Sequence, residues 1–515
     1  MTEIYSGGDH QMGEGKMMIP ASCEGVSIDT YAGKVHIEWD PQASVTPLGQ
    51  LPFFISFLKV SGLYDDFVAS CPLTYTSPNA PSKNDVLGTL LMSILAGHHR
   101  YAHITSIRFD SVNPDHLGMD KVISEDAARR ALKALDEQSG ISWLDNQLHK
   151  STQSALSFGP WVLDTDTTVK CLYGKQEGAV VGYNPTKKGR PSHNYHSCFM
   201  GNTRLALTVE VNHGNQHTAK HVLPSLWSYY DGLTDDQKPK LIRGDIFLGN
   251  EGFLSEAEKR NAHYLTKLRL TSNVKKLITR LFHEGDWVDA GQGFKGAESH
   301  LKLAGWSRER RVVVLRRSIS GDVALSVNEG PVQLPLFFLD IPGTVKRYEY
   351  AVLVTSLPLE ILSIAQLYRD RADSENCFDE LKNQWGWGGY TTQDLKRCRL
   401  VSRLVALVYN WWTLYVRLAR PEKHSEAITS RPLLLHGVAK QTTHAGQTTI
   451  TISSSHGKSE MMQSALIALS KFLVNLKSIA EQLNLAARMR LITRQAFRFF
   501  LDRVPPIARL LPAPG

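Results

Sequence analysis

Tyr368, Arg371, Glu375 and Lys382 lie in the stretch YRDRADSENCFDELK, which reads as one helix. At about 100° per residue they fall at roughly 0°, 300°, 340° and 320° around its axis, a polar stripe about 60° wide. Leu367, Cys377, Phe378 and Leu381 fall beside it at roughly 180–280°, so the helix has a core side next to a narrow line of phenol, guanidinium, carboxylate and ammonium. A merely solvated face scatters its charges, and an i,i+4 pair such as Arg371–Glu375 would by itself make only a surface helix. Two further acids stand at informative places. Asp166 lies in LDTDTTV, an apolar strand pattern in which a carboxylate is expensive to bury. Asp245 closes KLIRGD before a Gly-bearing turn, at a strand end, where α/β sheets collect functional side chains. Three carboxylates from two strands and a helix can surround one or two divalent ions. Magnesium prefers oxygen ligands and keeps waters that a substrate phosphate can replace. Two such ions can stabilise the attacking and leaving oxygens of an in-line phosphoryl displacement. Any one of these acids alone is more often structural; the signal is the set, in this order.

The elements that must position them can be read from periodicity. GKVHIEWD alternates like a short strand after a Gly- and Ser-bearing start that lacks periodicity. Helical patterns run from about residue 48 to 157, among them PSKNDVLGTLLMSILAGHHR with its Pro and Ser start signal. The segment Ser124–Glu137 has Ser124 as N-cap, acids in its first turn, and Arg129, Arg130 and Lys133 further on. A short capped basic helix after another helix suits a helix-turn-helix reader of DNA, and equally an ordinary bundle helix. After Pro160 strands alternate with helices, which implies a mixed α/β sheet. Residues 283 to 356 are mainly strand-like, and KQTTHAGQTTITISSSHGKS reads as a linker or surface hairpin. The final segment is helical and basic, with Lys471, Lys477, Arg488, Arg490, Arg494, Arg498, Arg503 and Arg509 against Glu481 and Asp502, a surface suited to a polyanion.

The length of 515 residues allows about three domains. A formal charge of +8 does not by itself establish a nucleic-acid partner. The six cysteines (Cys23, Cys71, Cys171, Cys198, Cys377, Cys398) show neither zinc-type spacing nor a disulfide framework, which points to a reducing cytoplasm. The start has no apolar core of a signal peptide. The most apolar run, Leu404–Val416, is too short to span a bilayer, is bounded by Arg403 and Arg417, and reads as a buried helix; no membrane partner is expected. His213 and His217 in VNHGNQH have no third ligand at suitable spacing, so a polar turn is expected there.

Tyr368, two residues, Arg371, three residues, Glu375, six residues, Lys382 resembles the Y-R-E-K signature of insertion-sequence DDE transposases. DTDTTVKCLYGKQEGAVVGYNPTKKGRPSHNYH is similar to the first-aspartate block of their thirteen-eighty group, and IRGDIFLGNEGF to the second-aspartate block, so that the resemblance covers about residues 160–425. It implies an α/β fold with a ribonuclease-H-like mixed sheet, flanking helices, a mainly β insertion between Asp245 and Glu375, and helical N- and C-terminal regions. The implied organisation is a flexible tail over 1–30, a mainly helical DNA-end-binding region over 31–157, a catalytic core over 158–282 and 357–425, the β-rich insertion over 283–356, and a linker with a basic helical region over 426–515. Carried over by position, Asp166, Asp245 and Glu375 would be the catalytic, metal-binding acids for Mg2+ or Mn2+, with two ions expected. Asp166 is preferred to Asp164 because the family's acid directly precedes the threonine pair; both would point to the same face, so Asp164 is the fallback. Ile246, Phe247 and Leu248 depart from the small residues of related groups.

The same resemblance implies that Arg371 and Lys382 clamp phosphates of the DNA end, one through a planar fork and the other as a point charge, and that Tyr368 bonds a phosphate beside the cleavage point. Lys187, Lys188, Arg190 and His193 in NPTKKGRPSH are expected in a hairpin loop near Asp166 as further DNA contacts. In related hairpin-forming enzymes an aromatic residue of the insertion stacks on a flipped base, a contact worth about 1–3 kcal/mol; Trp306 is that candidate here, with Trp287 as competitor, and strand packing as the alternative for either. Arg129 and Arg130 would serve end recognition. The implied partners are double-stranded DNA, as terminal inverted repeats and target, and a second copy of the chain, in a cytoplasmic, nucleoid-associated setting. The sequence leaves open whether excision passes through a DNA hairpin. Competing readings are a structure-selective nuclease on the same core and a DNA-binding protein without catalysis; the full acidic set argues against the latter.

Overall fold

The computed structural model describes residues 25–184, 187–216, 219–319, 347–390 and 392–501. Most of the expected tail, Cys23, His217, and Asp502, Arg503 and Arg509 of the basic segment lie outside the described residues.

Strands β1 (Val26–Thr30) and β2 (Gly33–Ile37) form an exposed hairpin. Residues 26–30 are therefore a strand, not tail: Thr30 Oγ1 donates to Gly33 O at 2.8 Å, and Gly33 takes φ +113°, which closes a tight turn. Strand β3 (Val45–Thr46) leads into α1 (Leu51–Ser61), α2 (Leu63–Ala69), α3 (Lys83–Leu95), α4 (Asn113–His116), α5 (Glu125–Ala134) and α6 (Glu137–Leu156). Ser82 and Ser124 cap α3 and α5 as side-chain acceptors. The segment Ser124–Glu137 is not one helix. Asp136 accepts from Ser139 N at 2.9 Å and opens a new helix, so α5 stops at Ala134.

Next come β4 (Val162–Cys171), β5 (Val180–Val181), β6 (Pro191–Met200), β7 (Leu205–His213), α7 (Ala219–Asp231), β8 (Leu241–Gly244), α8 (Glu251–Lys259), β9 (Tyr264–Lys267) and α9 (Ser272–Glu284). Strands β10 (Val288–Gly291), β11 (Phe294–Leu301), β12 (Arg310–Ile319) and β13 (Arg347–Thr355) follow. Among the described residues these strands make one ten-stranded sheet, ordered β10-β11-β12-β13-β9-β8-β4-β6, with β5 and β7 both on β6. Strand β4 is the hinge of this order. On one side it pairs antiparallel with β6; on the other it runs parallel to β8, and β8 parallel to β9. The long excursion through β10–β13 rejoins the same sheet, because β13 pairs antiparallel with β9.

The chain then runs through α10 (Ile361–Arg369), α11 (Ala372–Gln384), α12 (Leu395–Ala419), α13 (Ala427–Leu434), the hairpin β14 (Val438–His444) and β15 (Gln447–Ser453), α14 (Ser459–Ala480) and α15 (Leu485–Ala496). The polar, turn-rich stretch is thus a hairpin, and β14 also pairs with β3, which ties the two ends of the chain together. Helix α12 is buried almost along its whole length and packs against β7, α6 and α15. Its Tyr409, Trp411, Trp412 and Tyr415 are essentially without exposed surface. Each such aromatic removes about 150–250 Å² from water, worth roughly 4–6 kcal/mol before the entropy of ordering is subtracted. Among the described residues no helix is long and apolar enough to cross a membrane.

Candidate active site

Asp164 and Asp166 face the same side of β4, and their partners separate them. Asp164 is fully buried and accepts a two-pronged pair from Arg243 of β8, Nε to Oδ1 at 2.5 Å and Nη2 to Oδ2 at 2.7 Å. The third nitrogen of Arg243 donates to the carbonyl of Leu367 near the end of α10. Asp164 is therefore committed to structure: both of its oxygens are engaged by Arg243 in a fully buried pair that locks β4, β8 and α10 together. Parallel pairing of Asp164 with Arg243 sets this up, since it places the two residues side by side in the sheet.

Asp166, one pleat further on, remains partly open, with its side chain 20% exposed. Its Oδ1 accepts from Thr167 N at 2.7 Å, and its Oδ2 accepts from Arg371 Nη2 at 2.5 Å. The other prong of Arg371 donates to Glu375 Oε1 at 2.7 Å. One guanidinium, only 5% exposed, thus bridges an acid of the sheet and an acid of α11. Asp245 follows β8 directly, and Tyr368 Oη reaches its Oδ1 at 3.5 Å; Thr266 of β9 donates to the Asp245 carbonyl. Lys382 Nζ donates to Thr168 Oγ1 at 3.1 Å, again on the Asp166 face of β4.

The electrostatics of the cluster are mutual. Burial pushes the Asp166 carboxyl up to about 6; Arg371 opposes that rise, while Asp245 and Glu375 reinforce it. Burial would lower the Arg371 guanidinium, but Asp166, Tyr368, Asp245 and Glu375 hold it well above its ordinary value. Burial and the Asp245 charge both raise the Tyr368 phenol, which stays a hydrogen-bond donor. Burial lowers the Lys267 ammonium of β9, against the attraction of Asp245.

The four stripe residues do not share one helix as the sequence implied. Tyr368 is on α10, and the helix tightens at Asp370 and Arg371, where Arg371 N bonds to Tyr368 O at 3.1 Å, three residues back. A turn closed at i−3 advances each residue by about 120°, not 100°, so the computed stripe does not hold across it. The core side does: Leu367, Cys377, Phe378 and Leu381 are all buried.

The peripheral candidates divide. Lys187, Lys188 and Arg190 are exposed in the loop before β6, where Lys187 and Arg190 lie over the Tyr173 ring at 5.2 and 4.7 Å. His193 is not with them. Strand β6 has already begun, and His193 is fully buried with Nε2 at 2.7 Å from Glu177 O. Trp306 is 7% exposed beneath Arg310, which itself pairs with Glu251 and Glu258, so its ring packs inside the protein and offers no stacking face. Trp287 is covered by Arg316 at 3.7 Å and donates to Leu281 O. On α5, Arg129 is engaged by Glu125, Asp126 and the Tyr101 ring, whereas Arg130 is exposed.

Arg243 and Lys267 were not singled out from sequence. Each is a charge inside an apolar strand pattern, the same signal that marked Asp166, and each is buried.

The donors in the cluster are hard oxygens. They repel one another, so that Asp245 and Glu375 add to the rise that burial causes in Asp166, and they draw a cation between them, here the Arg371 guanidinium. That chemistry fits a divalent ion of the magnesium class. Among the described residues no three His, Cys, Asp or Glu side chains stand close enough together to hold one ion.

A family model described as transposase DDE domain group 1 matches residues 76–473. The chain belongs to that family. The match takes in α3 through most of α14 and includes Asp166, Asp245, Tyr368, Arg371, Glu375 and Lys382 of this DDE transposase. No curated protein matches it. Among solved structures, the transposase is similar to a piggyBac transposase in a synaptic complex with hairpin DNA, determined by cryo-EM. The identity is 10%, the TM-score 0.38, and the likeness covers 90% of this chain and 89% of that one.

Proposed function

We propose that this DDE transposase is the cut-and-paste enzyme of a bacterial insertion sequence, carrying the Y-R-E-K signature of the thirteen-eighty group on a ribonuclease-H-like core. The observation that carries the reading is the bridge Asp166–Arg371–Glu375 with Tyr368 on Asp245, which draws three acids from β4, the end of β8 and α11 into one electrostatic unit. The strand order supports the core assignment: an antiparallel run β4-β6-β7 on one side of β4 and parallel β8 and β9 on the other.

Asp166, Asp245 and Glu375 would hold Mg2+ or Mn2+, two ions in all; bound there, such ions polarise a phosphate and lower the pKa of an attacking water. Arg371 would orient the scissile strand through its planar fork once it exchanges a carboxylate for a phosphate. Lys382 supplies a mobile point charge two residues along β4 from Asp166, at Thr168. Tyr368, kept protonated, donates to phosphate. The enzyme would bind terminal inverted repeats through its N-terminal helices, cut the ends with or without a hairpin intermediate, and join them to target DNA as a homodimer in the cytoplasm.

The test is incubation of purified protein and magnesium with the flanking ends of its own gene and a target plasmid. Cut and joined strands are expected from the wild type. Asp245→Asn should bind ends and leave them uncut. Wild-type cleavage by Asp245→Asn would remove the acid from its role, and cutting without joined products would reduce the enzyme to a nuclease.

A further inference from the structure

Beyond the carboxylates, β4 runs on into a cavity of about 350 Å³. Its walls include Thr168 and Lys170 of β4, Tyr195 of β6, Lys382 at the end of α11, Trp387 just after it, and His99 from the segment following α3. Thr168 and Lys170 share the Asp166 face of the strand, so Lys170 lies about 13 Å along β4 from Asp166. The cavity is a seam between the N-terminal helices and the core, and it is closely built. In the turn WGWGG, a Cβ on Gly386 (φ +67°) would stand 2.5 Å from His98 O, and one on Gly389 would stand 2.2 Å from His99 O. Gly388 lets Lys170 lie flat against the turn, since a Cβ there would come within 3.1 Å of Lys170 Cδ.

Lys170 is the unusual member. Among the described residues no carboxylate pairs with it, and no hydrogen bond holds its ammonium. Burial brings its pKa down to about 8, against an upward pull from Cys398 and with a smaller downward push from neighbouring Arg100. A half-buried ammonium without a counter-ion, across a cavity from a second ammonium with only a threonine partner, is arranged to receive an anion. Trp387 and Tyr195 line the same cavity with ring edges: both are 3% exposed, and they pack edge to face on one another at 5.2 Å. An anion that carries a flat ring answers both halves of this lining, and the volume lies within the range of sites that enclose a small organic ligand.

Resting on the transposase reading above, we propose that this cavity is a nucleotide subsite. It takes one unpaired nucleotide of the DNA strand that passes the carboxylates, holding a phosphate between Lys170 and Lys382 and the base against Trp387 and Tyr195. The N-terminal helices would thereby read the strand through His99 as well as through their own outer surface.

The test measures binding, in Asp245→Asn protein, so that it stands or falls independently of cleavage and joining. Two labelled probes are compared by anisotropy: a duplex with a short single-stranded thymidine extension, and the same duplex blunt. Lys170→Met keeps the buried stem and removes the charge; it should weaken the extended probe about tenfold, as loss of a charge-assisted hydrogen bond does, while the blunt probe changes less than about twofold. Asn383→Trp, at the exposed rim, should fill the cavity and give the same selective loss with Lys170 intact. A 5-iodouracil in the extension should crosslink to the peptide bearing Trp387. Equal losses on both probes, or selective loss from neither variant, would overturn the subsite. Thermal melts of both variants exclude misfolding as the cause.

Discussion

Asp164 and Asp166 stand two residues apart on one face of β4, yet removing their charges should move stability in opposite directions. In Asp164→Asn the Arg243 guanidinium keeps its charge at 2% exposure with no counter-ion. Removing one partner of a buried pair costs about 3–5 kcal/mol. In Asp166→Asn the change relieves a penalty. Burial raises that carboxyl from 3.8 to about 6, and a shift of about two units corresponds to roughly 3 kcal/mol against the charged form. The gain is smaller than this, because Arg371 loses a partner and a fifth of the Asp166 side chain is already solvated. The neutral amide of Asp166→Asn should therefore leave stability unchanged or improve it by up to about 3 kcal/mol. The pH dependence follows from the same shift. The folded protein binds this proton more tightly than the unfolded chain, so the stability it contributes is full below about pH 4 and is lost as pH climbs through about 6. Asp166→Asn lacks that component, and the gap between variant and wild type should open across this window. Urea midpoints in metal-free buffer, measured at both ends of the window, read all three expectations. An Asp164→Asn protein as stable as wild type, or an Asp166→Asn protein that loses several kcal/mol, would refute the assignment of one acid to structure and the other to chemistry.

Other outcomes follow from particular contacts. Lys382→Ala should leave the melt within about 1 kcal/mol, because the ammonium is exposed, yet slow single-turnover cleavage; unaltered cleavage would return Lys382 to the solvated surface. Trp306→Ala should destabilise by about 3–5 kcal/mol, as loss of a buried aromatic does; an unchanged melt together with lost hairpin processing would put the ring on DNA. Arg130→Ala should shallow the salt dependence of end binding by about one phosphate contact, whereas Arg129→Ala, already committed to Glu125 and Asp126, should not; equal slopes in wild type and Arg130→Ala would make α5 bundle packing only. Arg371→Ala should stop cleavage without abolishing end binding, checked by gel shift beside a cleavage assay; intact cleavage would take the fork out of the mechanism.

Much of the α/β order was legible because it is written in local periodicity: LDTDTTV, KLIRGD and HYLTK alternate or cluster their apolar residues, and β4, β8 and β9 form there. The apolar run around Trp411 announced α12 for the same reason. Pairing was not legible. That β13 returns to β9, with Leu353 opposite Lys267, or that β14 meets β3, with Ala439 opposite Thr46, depends on partners far along the chain that no local pattern encodes. Asp166, Asp245 and Glu375 were singled out from type and position, but the contacts that their neighbours make with them were not. The i,i+4 spacing already set Arg371 beside Glu375, but its second contact, to Asp166 of β4, is a tertiary one that a helical wheel does not contain. His193 shows the opposite failure: a loop-like composition, NPTKKGRPSH, hides the fact that β6 starts at Pro191 and turns the histidine inward.

The triple hold of Arg243, on Asp164 and on the carbonyl of Leu367, also sets an order of manufacture. Its contacts reach 79 residues back and 124 residues forward along the chain. A ribosome making this protein therefore releases Asp166 and Asp245 long before the segment that locks them, and Glu375 emerges only eight residues after Leu367. Until then the growing polypeptide holds Asp166 and Asp245 without the Arg243–Leu367 contact that fastens β4 and β8 to α10. Order in the chain thus sets order in the fold: the acids of the proposed site can be brought together only after about 375 residues have been made.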